Sequence, residues 1–268
     1  MTYRLLVSDI DGTLVDKQKQ LTPATIDAVA RLRAAGLGFT VISARPRSGL
    51  VPIADALAID GPMAAFNGGT IFRRDGSVGV RHGIEPEVAR GVLALADGVD
   101  VWVFADDQWF ASTDQGAHVG SERKASNQEP VVRIDFADLL DRADKITFVS
   151  DEPEVLAALH VAVEAAFAGR ATVALSQPYY LDVTALEANK GAGIAALATA
   201  AGLPLDQVVA IGDQANDLPM LTRAGLAIAM GNAPDRVKAA AAHVTSANTE
   251  DGVAHAIDTI ILPALETA

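Results

Sequence analysis

An α/β fold is predicted, a Rossmann-like parallel sheet interrupted by an inserted α+β unit, and three observations predict it. Short apolar runs alternate with helical patterns at both ends of the chain. Several of those runs stop at a carboxylate, a hydroxyl or a glycine pair. Between the two ends, paired strands replace the alternation.

The elements follow in order. Arg4 to Ser8 is an apolar, β-capable run that ends at Asp9. Thr22-Pro23 then places a capping hydroxyl before a proline at the first helical position. Ile26, Val29, Ala30 and Leu32 continue at helical spacing, and Gly36 supplies a stop. Phe39 to Ile42 is a second strand ending at Ser43, and a helix over 50–57 leads to a third strand, 63–66, ending at Asn67-Gly68-Gly69. Strands joined by crossover helices make a parallel sheet.

The middle is different. It predicts a helix over 86–97, strands over 100–105 and 108–112, a polar stretch without clear periodicity and a short helix over 135–140. A strand over 145–149, a helix over 153–167 and strands over 171–175 and 179–184 complete it. Val99 to Phe104 alternates up to Asp106-Asp107, which signals a hairpin. The first pattern then resumes: a helix over 191–201 closed by Gly202, and a strand over 208–211 entering Gly212-Asp213. A helix over 218–224, a strand over 226–230 and helices over 234–241 and 252–261 end the chain. The expected division is a core of 1–82 plus 186–268 and an inserted domain of 83–185.

Composition narrows the function. Half of the 268 residues are apolar, enough for a sizeable core and too many for a disordered chain. There is no cysteine, which excludes disulfide scaffolds, thiol nucleophiles and cysteine zinc sites. No apolar stretch approaches the roughly 20 residues a membrane span needs. The opening apolar run is broken by Asp9 and Asp11, unlike a secretory signal, so the expected compartment is the cytoplasm. A net charge of −13 argues against nucleic-acid partners. It leaves room for a small anionic substrate, because a metal ion and a few local cations invert the field within one cleft.

The chemistry gathers at strand ends. Asp9, Ser43 and Asp213 each follow an apolar strand, and ligands of open parallel sheets bind beyond the carboxyl ends of strands. Asp9 and Asp11, with Gly12 for a sharp turn and Asp213 as a third carboxylate, form an oxygen-rich set of the kind Mg²⁺ prefers. One aspartate is then free to attack phosphorus, and its neighbour to donate and accept the proton. The plainer alternative is an Asp-Gly turn after a strand. Lys190 precedes a helix start that favours anions, or is a solvated surface lysine. Asn216 can donate to phosphate; Asp217 either supports the metal shell or caps the next helix. Gly191, Gly193 and Ala196 match G-x-G-x-x-A, but no strand runs directly into them, so dinucleotide binding is not expected.

Taken together, DIDGT (9–13), VISAR (41–45), NGG (67–69), NKG (189–191), GDQANDLPM (212–220), AMGNA (229–233) and EDGVA (250–254) resemble the haloacid dehalogenase-like (HAD) superfamily, and within it the Cof-type phosphatases. The resemblance implies a HAD core with a larger, C2-type α+β cap inserted between NGG and NKG. It implies a Mg²⁺-dependent phosphatase of small phosphorylated metabolites, sugar phosphates or similar monoesters, acting through an aspartyl-phosphate. Asp9 would be the nucleophile and Asp11 the general acid/base. Asp9, the main-chain carbonyl of Asp11, and Asp213 would hold the metal, with Asp217 behind them. Ser43, Lys190 and Asn216 would hold the phosphoryl group, and Arg45 and Asn67 would line the substrate side. One departure is Ala44, where the family usually has glycine. The rivals are a phosphomutase using the same nucleophile and a non-catalytic phosphometabolite-binding protein, the latter disfavoured because Asp9, Asp11 and Lys190 are all present.

Overall fold

The structure, a computed structural model, describes residues 3–266. β1 (Leu5–Ser8) is buried along its whole length. α1 (Pro23–Ala34) begins where Thr22 accepts a hydrogen bond from the Thr25 amide. It buries Thr25, Ala28, Val29 and Leu32, a stripe at i, i+3, i+4 and i+7 that turns one face inward. β2 (Gly38–Val41) pairs in parallel with β1 and leads into α2 (Arg47–Ala56). β3 (Met63–Ala65) meets the end of β2 through one parallel bridge, Ile42 to Ala64. It then forms an antiparallel three-stranded sheet with β4 (Thr70–Phe72) and β5 (Val78–Arg81). These last two strands were not expected: β4 is three residues long and β5 is exposed throughout, so neither carries a clear apolar pattern.

The middle of the chain comprises α3 (Pro86–Ala94), β6 (Asp100–Ala105), β7 (Gln108–Ala111) and α4 (Val119–Ser126). β8 (Val131–Val132), β9 (Ala143–Val149), α5 (Pro153–Phe167), β10 (Ala171–Gln177) and β11 (Tyr180–Ala185) follow. Their strands form one sheet in the order β10-β11-β9-β6-β7-β8, antiparallel except for the last pair. The two-residue period of each strand sorts its side chains. Val101, Val103, Ile146, Phe148, Leu181 and Val183 pack in one cluster with Val88 and Val92 of α3 and Leu156 and Val163 of α5. On the opposite face Trp102, Phe104, Trp109 and Tyr180 join a cluster with Leu50, Ile53, Phe66 and Phe72. The Phe66 and Phe104 rings stand 5.9 Å apart across that junction. α4 lies in the stretch where no periodicity was seen, and the short helix expected over 135–140 is a single 3-10 turn, Ala137–Leu139.

The chain then returns through α6 (Lys190–Ala200), β12 (Val208–Gly212), α7 (Leu218–Leu221) and β13 (Leu226–Ala229). α8 (Asp235–Lys238), β14 (His243–Val244), α9 (Gly252–Ala256) and α10 (Leu262–Glu266) follow, a π-helical turn joining the last two. The core sheet runs β14-β13-β12-β1-β2, and every pair in it is parallel. Connections leave β1 toward β2 and leave β12 toward β13, so the order reverses between β1 and β12. Such a switch point opens a crevice at the strand ends. Among the described residues no helix is long and apolar enough to cross a membrane.

Candidate active site

Asp9 and Asp213 are the first residues beyond β1 and β12, which run side by side. The Asp9 amide donates to the Ile211 carbonyl at 3.0 Å, extending the ladder into the crevice. Both carboxylates are buried, as is that of Asp217. Oxygens of the three lie within 4.8 Å of one another. Gly12 has φ +82, and a β-carbon there would sit 2.4 Å from Asp213 Oδ2, so the turn after Asp11 needs glycine both for its backbone and for its space. Thr13 Oγ1 donates to Asp213 at 3.0 Å; the side-chain amides of Gln214 and Asn232 donate at 3.1 and 3.2 Å.

Lys190 opens α6, whose N-cap Asn189 accepts from the Ala192 amide. Its Nζ lies 2.5 Å from Asp9 Oδ1 and 2.5 Å from Asp217 Oδ1. At 2% exposure it is not a surface lysine. The other oxygen of Asp217 accepts from the amides of Asp213 and Gln214, both at 2.8 Å. Asp217 stands at the N-cap position of α7 but makes no side-chain cap bond to it; it braces the loop behind it and the lysine.

Burial pushes the Asp9 carboxyl up to about 8, against the pull of Lys190 and with added repulsion from Asp217 and Asp213. Burial also raises Asp213, to about 7, with Asp217 adding to it. Burial works to lower Lys190, but Asp217 and Asp9 outweigh it and hold the ammonium form. This all-oxygen donor set, short of positive charge and framed by a glycine that admits no side chain, fits a hard divalent cation.

Asp11 stands apart from that cluster. Arg45 grips it with two bonds, Nε to Oδ2 at 2.7 Å and Nη2 to Oδ1 at 2.8 Å, and Lys19 Nζ lies 2.5 Å from Oδ1. Burial opposes ionisation here too, but the Arg45 and Lys19 contacts hold the carboxyl well below the usual range. Its side chain therefore faces the cations and not the Asp9, Asp213 and Asp217 cluster.

The remaining residues close the pocket. Ser43 is buried and its Oγ accepts from the Arg45 amide at 3.2 Å. Phe66, Asn67 and Gly68 all have positive φ, at 50, 57 and 104°. A β-carbon on Gly68 would lie 2.7 Å from Gly193 Cα, so this loop packs directly on α6. Of the G-x-G-x-x-A glycines, Gly193 serves that packing and Gly191 lets α6 approach Pro219. Asn216 Nδ2 reaches Asn67 Oδ1 at 3.4 Å, while the buried Oδ1 of Asn216 has no partner among the described residues. The structure thus gathers Asp9, Asp11, Ser43, Arg45, Asn67, Lys190, Asp213, Asn216 and Asp217 in one place.

The cleft holds about 50 Å³ and is roofed by Glu122, Lys145, Tyr179 and Tyr180. Lys19, Glu122 and Lys145 were not singled out in the sequence. Lys145 alternates with Thr147 on β9, in register with Thr184 and Asp182 on β11, a polar row that the pairing of the two strands creates. Its Nζ donates to the carbonyl of Ala44 at 3.2 Å, tying the roof to the position where glycine was expected. Glu122 is buried on α4, and burial pushes its carboxyl up to about 7 against the charge of Lys145.

Residues 6–257 match the family of haloacid dehalogenase-like hydrolases, and the chain belongs to that family. It is an enzyme of the hydrolase class. It is 29% identical over 257 residues to the "Putative phosphatase" of Haemophilus influenzae, covering 95% of this chain and 97% of that one. Among solved structures, a haloacid dehalogenase-like hydrolase from Bacteroides thetaiotaomicron superposes with a TM-score of 0.86, at 28% identity, over 97% of this chain and all of that one. The HAD subclass IIB sugar phosphatase BT4131 superposes with a TM-score of 0.81, at 25% identity, over 95% and 98%. The α/β fold with a parallel-sheet core is therefore the HAD fold.

Proposed function

We propose that this hydrolase is a Mg²⁺-dependent phosphomonoesterase of small metabolites, with Asp9 as its nucleophile. The observation that carries the reading is Asp9 itself: buried at the switch point, bonded to Lys190, and within reach of Asp213 and Asp217. Asp9, the main-chain carbonyl of Asp11, and Asp213 would hold the metal, which when bound screens the carboxylates from the phosphoryl group and draws charge from its oxygens.

An Asp9 oxygen bonds to phosphorus as the ester P–O bond breaks, and Asp11 gives its proton to the departing alkoxide. Water then loses a proton to the Asp11 carboxylate and attacks phosphorus. The Asp9–phosphorus bond breaks, and phosphate is released. The proton taken from water reloads Asp11 for the next ester. Arg45 and Lys19 favour the ionised form of Asp11, the form needed for the second step; the acid form requires that grip to loosen when the ester enters. Lys190, Ser43 and Asn216 hold the equatorial oxygens, where charge concentrates.

Residues 83–185 act as the cap that covers the site and meets the leaving group. The likeness to a sugar phosphatase supports a sugar phosphate or similar monoester. The test is phosphate release from a panel of phosphorylated metabolites, with Mg²⁺ and with chelator. The expected outcome is metal-dependent release that falls by at least about a thousandfold in Asp9→Asn. Isomerised substrate without free phosphate would instead make the protein a mutase.

A further inference from the structure

We propose that Asn232 is a positioning residue for the metal site, the last link of a polar relay along the strand ends that fixes the Asp213 carboxylate and the turn after Asp11 for a divalent cation. The proposal rests on the reading of Asp9, Asp11 and Asp213 as the residues that hold the metal.

The first argument is the order of the core sheet. β14, β13, β12 and β1 lie side by side and in parallel, so the loops that leave them emerge along one edge. Gly12 follows β1 and Asp213 follows β12, while Asn232 follows β13 and Asn248 follows β14. AMGNA (229–233) and the chain just before EDGVA (250–254) thus share an edge with the carboxylates, although neither motif supplies one of the proposed ligands.

The second argument is what the Asn232 side chain does there. Its Nδ2 donates to the Gly12 carbonyl at 2.9 Å and to Asp213 Oδ2 at 3.2 Å, and its Oδ1 accepts from the Asn248 main-chain amide at 3.0 Å. A primary amide carries two donors beside an acceptor; a carboxylate has no donor to offer, and an ammonium no acceptor. One side chain therefore joins the loops after β1, β12 and β14. The relay continues behind it. Asn248 Nδ2 donates to the Val15 carbonyl at 2.9 Å, and Val15 is bridged to Asp11, so the turn after Asp11 is held from both sides. A β-carbon on Gly231 would lie 2.7 Å from the Ala247 amide nitrogen, so the loop that carries Asn232 is seated directly on the segment that carries Asn248.

Asn232 is itself exposed. Water competes for its bonds, and the fold gains little from them. Their effect falls on Asp213, whose Oδ2 accepts from Asn232 and Gln214 and whose Oδ1 accepts from Thr13. Partners that orient a ligand in this way typically change metal affinity by about 10- to 100-fold.

The test measures Mn²⁺ affinity by electron paramagnetic resonance, with Mg²⁺ as competitor, and the urea midpoint in chelator. Asn232→Ala is expected to weaken Mn²⁺ binding by about 10- to 100-fold while its midpoint stays close to that of the wild type. Asn248→Ala loses the bond to Val15 but keeps the main-chain amide that holds Asn232, and its affinity should change by less than about threefold. Wild-type affinity in Asn232→Ala overturns the proposal, as does a midpoint that falls in step with the affinity. An equal loss in Asn248→Ala also overturns it, because the effect would then lie in the packing of the segment and not in the Asn232 amide. Wild-type protein that binds no Mn²⁺ would instead overturn the metal reading itself.

Discussion

Asp9 and Asp11 are two residues apart and stand in opposite electrostatic surroundings. Asp9 sits among carboxylates, with one lysine to balance them, and burial pushes its carboxyl up against the pull of that lysine. Asp11 sits between Arg45 and Lys19 and sheds its proton readily. In the proposed reaction both must change: a cation beside Asp9 draws off its proton and frees it to attack, and Asp11 must leave the grip of Arg45 and Lys19 to take one up. Lys190 is what keeps the first group tolerable inside the fold. Its removal leaves Asp9 and Asp217 buried without their cation, which in comparable cases costs about 3–5 kcal/mol. Lys190→Met is therefore expected to lower the urea midpoint strongly in chelator and to lose phosphate release. An unchanged midpoint would show that the ammonium is not the charge that holds the cluster.

At the scale of elements, the loop after β3 and the helix α4 carry separate predictions. Gly68 has φ +104 and touches the backbone of Gly193, so a methyl group meets both strain and contact. Gly68→Ala is expected to cost about 1–3 kcal/mol by urea denaturation, and equal midpoints would mean that the loop relaxes freely. On α4, Glu122 has its carboxyl raised from 4.5 to about 7 by burial. Below 4.5 both folded and unfolded chains hold the proton, and the group has no effect on stability. Between 4.5 and about 7 the unfolded chain ionises first, so stability is lost as pH rises. The full loss, reached above 7, is about 3 kcal/mol. Glu122→Gln is expected to be more stable than wild type at about pH 8 and equal to it at about pH 4. A gain of the same size at both pH values would place its origin in packing.

These elements also show what the sequence could convey. Asp9, Ser43 and Asp213 were legible because each follows an apolar strand, and a parallel sheet brings strand ends together whatever their separation along the chain. Lys190 and Asn216 were legible from their motifs. The roof was not. Glu122 lies on an eight-residue helix with few apolar residues, in a stretch of turns where no period stands out. Lys145 and Asp182 lie on strands that were expected, but their shared face follows from the pairing of β9 with β11, which no single segment encodes. The hairpin β4–β5 was missed for a related reason: a short strand and an exposed one owe their pairing to each other and to β3.

For the whole molecule, the two sheets meet through aromatic packing and through α2 against α4. A β-carbon on Gly49 would lie 2.0 Å from the Ala125 carbonyl oxygen, and Ser48 Oγ donates to the Ser126 carbonyl at 2.5 Å. Arg47 pairs with Asp107 across the same junction. The cleft holds about 50 Å³, far below the 300–1,000 Å³ usual for drug-sized ligands, so it is a narrow site under the roof. The central claim, that Asp9 carries the phosphoryl group between ester and water, is tested most directly by acid-quenching the enzyme during turnover with Mg²⁺ and locating phosphate by peptide mass spectrometry. The account predicts phosphorylation on Asp9, absent in chelator and in Asp9→Asn. Turnover with no phosphate on Asp9, or with phosphate on another residue, would contradict it.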